Sequence, residues 1–321
     1  MKRDVIHRNF LGAIEKKVPD KSALVEILME TLCLEKGAVY RRLRDEVPFT
    51  FFEIVHIAEK LGISLNSFIY PDSARIKRFE LAFIEYAAMS EMDYKQWEDF
   101  IHFVGSAKND PYSEVLESTN MLPVCIYAGF EALTKYHLFK YQYLLHSSES
   151  RIPFDELDVS DRLQQIFRSY CEESKKFANT TYILDYMIFR YLVTDIRFFS
   201  DIRLISAADV ALIRKDFAAL LDYIEALALK GSFKETGNPV YFYISEINLD
   251  ANYICIQIND AYVSLVRQFI LNSVESDDQS SFRKIKDWIQ SQKKSATLIT
   301  QSGAVYRADF FEKQRQIIAE L

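Results

Sequence analysis

The sequence predicts a mainly α protein: an N-terminal bundle of five short helices, then a larger helical domain with one β-hairpin near the C-terminus. Three observations lead there. Apolar residues recur at helical spacing through the first 70 residues, with turn and capping residues between the runs. The same period continues to about residue 230, in a chain that carries 24 Phe and 19 Tyr. Between 240 and 258 it switches to strict alternation around a polar turn. The expected domains are 1–72 and 73–321, with a sub-module over 232–321 that holds the hairpin.

Taken in order, Val5, Ile6, Phe10 and Ile14 mark the first helix, and Pro19-Asp20 ends it. Ser22 is a suitable N-cap for a second helix, 23–32. A break at Cys33-Leu34-Glu35 leads to a third helix, 36–46, stopped ahead of Pro48. Phe49 or Thr50 opens a fourth, with Glu53 in its first turn, Ile54, Val55, Ile57, Ala58 and Leu61 behind it, and Gly62 as its C-terminal cap. Ser64 caps a fifth turn through Phe68, and Pro71-Asp72-Ser73 reads as a boundary. Beyond it, helices are expected over 74–90, 94–104, 124–146, 160–177, 180–199 and 207–230. Val240, Phe242 and Ile244, then Ile254, Ile256 and Ile258, form the two arms of the hairpin. Helices over 260–271, 281–290 and 308–321 follow, with a short strand at 296–300.

Charge is unevenly placed. The net charge is −7, yet residues 1–72 hold 11 Lys+Arg against 11 Asp+Glu. Within them, the run from Lys36 to Arg44 (KGAVYRRLR) has four cations and no acid. Nucleic-acid footprints are local patches of this kind. No stretch reaches the roughly 18–20 apolar residues of a membrane helix, and no signal-peptide block opens the sequence. The cysteines, Cys33, Cys125, Cys171 and Cys255, never pair as CxxC. A cytoplasmic protein without membrane contact is expected.

Enzyme signatures are missing. The sequence has no GxGxxG, GxxxxGK[ST] or GxSxG, and its eight glycines supply phosphate loops poorly. His7, His56, His102, His137 and His146 lack partners at zinc-ligand spacing. Asp277-Asp278 sits in a polar loop. The expectation is therefore a non-enzyme with neither catalytic nor metal residues and no cofactor. The aromatic runs 130–143 and 182–199 read as core in preference to a ligand or peptide groove.

Residues 28–46 (LMETLCLEKGAVYRRLRDE), followed by PFTFFEIVHIAEKLGISL, resemble the lambda-repressor-like (Xre-type) helix-turn-helix family. Leu28, Leu32, Leu34 and Val39 match the family's core positions, and Leu61-Gly62-Ile63-Ser64-Leu65 matches its closing segment. Met29 stands where a small Ala is usual, Cys33 where the turn Gly is usual, and Arg42 at a normally apolar position, with Leu43 supplying that contact. The resemblance covers about the first fifth of the chain. It implies a recognition helix over 36–46 in the major groove of double-stranded DNA. At 100° per residue Val39 and Leu43 face the bundle, and Gly37, Arg41 and Arg44 lie opposite, flanked by Ala38 and Tyr40. Gly37 and Ala38 are small enough for close approach to the groove. Arg41 and Arg44 are placed to read bases, and Lys36 and Arg42 to hold phosphates.

The expected function is a sequence-specific transcription regulator. Residues beyond 74 would form a homodimer, first through the hairpin and the helix 260–271, and would receive a small-molecule or peptide effector. The alternative is a helical protein-interaction factor whose N-terminal bundle does not contact DNA.

Overall fold

Helical period and capping chemistry set the N-terminal part, and a mixed β-sheet organises the rest. The computed structural model describes residues 2–63, 65, 79–145 and 152–321. Two compact units divide the chain, Met1–Lys77 and Arg78–Leu321.

The first unit contains helices α1 (Lys2–Lys17), α2 (Lys21–Leu32), α3 (Lys36–Leu43) and α4 (Phe51–Leu61). Asp20, rather than the expected Ser22, caps α2: the Ser22 N–H donates to Asp20 Oδ1 at 3.1 Å. Both residue types cap well, and the one nearer Pro19 is used. Cys33 ends α2 in the left-handed region at φ 51°, the conformation for which glycine is usual. Thr50 and Glu53 form a reciprocal capping box on α4, the Thr50 N–H donating to Glu53 Oε2 at 2.7 Å. Gly62 closes α4 at φ 62°. The core gathers Phe10, Ile14, Leu24, Val25, Leu28, Val39 and Ile57, with Leu32, Leu34 and Leu43 packed against it. The cap at Ser64, the turn through Phe68 and the boundary at Pro71-Asp72-Ser73 lie outside the described residues.

The second unit overturns the mainly α expectation. Among the described residues it holds an eight-stranded sheet in the order β1-β7-β6-β5-β2-β3-β4-β8. The strands are β1 (Glu80–Ala82), β2 (Glu114–Thr119), β3 (Asn179–Asp185), β4 (Val240–Ser245), β5 (Tyr253–Ile258), β6 (Ala261–Gln268), β7 (Asn272–Ser276) and β8 (Ala296–Leu298). β2, β3 and β4 run parallel, and the other pairings are antiparallel. The helices are α5 (Glu91–Gly105), α6 (Val124–Tyr127), α7 (Glu131–Leu145), α8 (Asp161–Ser174), α9 (Ile188–Asp201), α10 (Ala207–Lys230), α11 (Gln279–Gln292) and α12 (Ala304–Ala319).

Four expectations fail here, each for a physical reason. The predicted helix 180–199 is strand β3 followed by α9. Its TTYIL segment is apolar on both sides because both faces of the sheet are covered, and such a strand has no alternation to read. The predicted helix 260–271 is β6, likewise covered on both faces. Within the predicted helix 74–90, of which residues 74–78 lie outside the described residues, Glu80–Ala82 form β1, paired with β7. The hairpin arms exist as β4 and β5 but do not pair with each other. β4 lies between β3 and β8, and β5 between β2 and β6.

One face of the sheet packs on α5 through Val115, Ile254, Ile256 and Leu265, and on α7–α10 through Tyr182, Leu184, Phe242 and Ile244. The opposite face is covered by α11, where Phe282 and Ile289 meet Leu116, Ile183 and Cys255. The aromatic runs are mostly core: Tyr136, Phe139, Tyr141, Tyr182, Phe189 and Phe199 are all buried in the largest cluster.

Candidate nucleic-acid interface

Helix α3 ends at Leu43 rather than at the expected 46, because Arg44 leaves the helical region as its C-cap and Asp45 turns to φ 61°, and Val39 anchors it. Val39 is fully buried against α2, and Leu43 packs at the edge of the same core. That fixes the helix rotation and turns the opposite side outward. Lys36, Gly37, Tyr40, Arg41 and Arg44 are exposed, and Ala38 is half-buried. A Cβ added at Gly37 would meet nothing within 4 Å, so the first turn of α3 presents open backbone to anything docking there.

Cations on this face differ in what they touch. Arg41 and Arg44 keep 65 % and 66 % of their side-chain surface and approach Glu46 loosely, at 3.9 and 3.5 Å. The Arg44 guanidinium also lies 5.7 Å from the Tyr40 ring centre. Exposed pairs of this type contribute about 0–1 kcal/mol and exchange partners readily. Neither is held against the protein.

Arg42 is different, and its expected role as a phosphate contact is corrected. Its Nε and Nη2 donate to Glu53 Oε2 and Oε1 at 3.3 and 2.8 Å, and Nη1 donates to the Ala38 carbonyl at 3.4 Å. Both side chains of the pair are largely covered, at 16 % and 17 % exposure. Burial alone would resist ionisation of Glu53. The hydrogen bonds from the Thr50 backbone and from Arg42 outweigh it and hold the carboxyl below its usual range. Arg42 therefore ties α3 to the first turn of α4. It fills a normally apolar position by pairing rather than by packing.

The α3–α4 connection is braced from α1. The Phe49 N–H donates to His7 Nε2 at 3.1 Å, and His7 Nδ1 lies 2.7 Å from Asp45 Oδ1. An accepting Nε2 leaves the ring proton on Nδ1, facing the carboxylate. His7 thus has a structural place that its position in the sequence did not reveal.

Three features escaped the sequence reading. Glu46 stands beside both exposed arginines. Glu53 pairs across eleven residues. Phe51 and Phe52, 69 % and 75 % exposed, pack edge to face on the first turn of α4. Two adjacent aromatics ahead of an Ile54-Ile57-Ala58 stripe were the available signal, since Ile57 and Ala58 already fill the inner face.

Comparison with protein-family models, with curated proteins and with solved structures gave no match. Among the described residues no helix is long and apolar enough to cross a membrane.

Proposed function

We propose that the N-terminal unit binds double-stranded DNA sequence-specifically through α3, and that the chain is a cytoplasmic transcription regulator working as a homodimer, with an effector received by the C-terminal unit. The carrying observation is the outward side of α3 and its C-cap: Lys36 and Arg41 on the helix and Arg44 just past its end are exposed around a small Gly37-Ala38 start, with Val39 locking the helix from behind. Arg41 and Arg44 read bases, and Lys36 holds phosphate. Arg42 has no direct part. A second reading, a protein-interaction factor, is favoured by Glu46 beside the arginines and by the exposed Phe51-Phe52 pair.

Titration of the full-length protein onto selected and random duplexes at several salt concentrations separates the two. Arg41→Ala should cost about 1–3 kcal/mol on the preferred site and little on random DNA. Lys36→Ala should weaken both and flatten the salt slope by about one unit. Absence of salt-dependent DNA binding would leave the protein-interaction reading standing.

A further inference from the structure

Beneath α5, α6 and α8, the covered face of the sheet carries a set of charged and polar groups that the fold itself does not use. Glu117 on β2 and Arg267 on β6 are 3 % and 8 % exposed. Both belong to the face of Val115, Ile254 and Leu265. The register Glu117↔Ile254 and Ile254↔Leu265 sets them two strands apart and two residues offset, roughly 10 Å across and about 7 Å along. No ion pair joins them. Among the described residues Glu117 Oε1 has no hydrogen-bond partner, and Arg267 meets the Glu117 charge only by attraction at a distance.

Aromatic rings from the helices and from β3 surround these groups. Tyr127 on α6 stacks on His137 at 3.9 Å, and Tyr182 on β3 lies 3.2 Å through its hydroxyl from Cys125 Sγ. Arg267 feels the charge of Glu117 and lies close enough to Tyr127, Tyr170 and Cys125 to couple with them. Tyr170 and Cys125 sit among these buried groups, yet each is only half-buried. A cleft of about 280 Å³, lined by Tyr86, Trp97, Phe100 and Asn272 among others, reaches the surface beside them. Tyr86 belongs to both: it accepts from Trp97 Nε1 at 3.2 Å and couples to Arg267.

A guanidinium in the interior whose counter-charge, Glu117, acts on it only at a distance keeps its fork free, and such a group marks a site for an anion. We propose that the cleft beside Tyr86 binds a small monocarboxylate, with its carboxylate directed at the Arg267 fork and its body against Tyr86, Trp97 and Phe100. The fork matches planar two-oxygen anions. A phosphate dianion would overcharge a site with one cation and a glutamate beside it. The proposal deepens the effector reading above and involves the C-terminal unit alone.

Glu117 gives the site a pH signature. Burial pushes its carboxyl up to about 7, against the attraction of Arg267. The groups around it stay fixed over that range. Burial raises Cys125 and Tyr127 on α6, Tyr170 on α8 and Tyr182 on β3, and lowers His137 to about 3. A neutral Glu117 can donate to the bound anion and an ionised one repels it, so affinity should fall as pH rises past about 7.

The test uses the full-length protein without DNA, so its outcome does not depend on α3. Trp97 fluorescence is read in a Trp288→Phe background, together with the thermal midpoint. The probes are acetate, benzoate and 4-hydroxybenzoate, with benzamide and inorganic phosphate as controls. At least one carboxylate should change Trp97 emission saturably and raise the midpoint by about 2–4 °C, more weakly at pH 8 than at pH 6, while the controls do neither. R267Q, which unfolds cooperatively, should lower that affinity at least tenfold. R267K, which keeps the charge and loses the fork, should also bind more weakly. Silence from every carboxylate overturns the proposal. So does equal binding of benzamide or phosphate, or undiminished binding by R267Q and R267K.

Discussion

Replacing Arg42 by alanine tests whether this arginine holds α3 in place or holds DNA. The substitution removes two charge-assisted hydrogen bonds to Glu53, of 2.8 and 3.3 Å, and leaves a largely covered carboxylate with only its Thr50 partner. Hydrogen bonds to charged groups contribute about 1.5–3 kcal/mol. Exposed ion pairs contribute about 0–1 kcal/mol, and breaking a fully buried pair costs about 3–5 kcal/mol. At 16 % and 17 % exposure the pair falls between these limits, at about 2 kcal/mol. Both tryptophans lie in the other unit, so amide hydrogen exchange at Leu24, Val25 and Leu28 in the intact chain is the suitable assay. Exchange through opening of the N-terminal unit should speed up about 30-fold at neutral pH. The effect has a defined pH dependence. Because the folded Glu53 carboxyl lies below its usual 4.5, the pair's contribution is fully present above that value and disappears as pH falls through the folded one. On DNA at neutral pH, Arg42→Ala should change affinity by less than about twofold and leave the salt slope intact, since the unit stays predominantly folded. A salt slope flattened as in Lys36→Ala, with exchange unchanged, would refute the structural role.

Further outcomes follow from other residues. Glu117→Gln should flatten the pH dependence of stability: the folded carboxyl binds its proton up to about pH 7 against a usual 4.5, so wild-type stability falls as pH rises through that window, by about 3 kcal/mol in all. Urea unfolding followed at Trp97 measures this, and identical profiles for the two proteins would contradict it. Cys33→Gly should stabilise the N-terminal unit by about 0.5–1 kcal/mol, because Cys33 holds φ 51° without glycine's freedom; slower exchange in α2 is the readout. Sedimentation of the full-length protein at micromolar concentration should give a dimer, free and on DNA. A monomer in both states would remove the homodimer from the proposed function. The surface first expected for that dimer is already excluded as drawn, because β4, β5 and β6 lie inside the sheet rather than at its edges.

The sequence by itself determined the N-terminal helices, because their signals are local. The Thr50-Glu53 box, Gly62, the cap beside Pro19 and the Val39 position within KGAVYRRLR each act within a turn or two of the chain. The exposure of Lys36 and Arg41 follows from the single buried Val39 by helical geometry alone, whereas Arg44 stands past the end of the helix, which the sequence pattern put at 46. Arg42 marks the edge of that legibility. Its departure from an apolar position was visible, but its partner Glu53 belongs to the next helix. In the second unit the local signal misleads. Segments such as TTYIL and AYVSLVRQ are covered on both faces, so neither shows the alternation that announces a half-exposed strand, and tertiary packing decides that they are strands. Only the sheet brings Glu117 and Arg267, 150 residues apart in sequence, onto one covered face. No spacing rule could pair them, since the one strand between them, β5, is joined to β2 from a distant part of the chain.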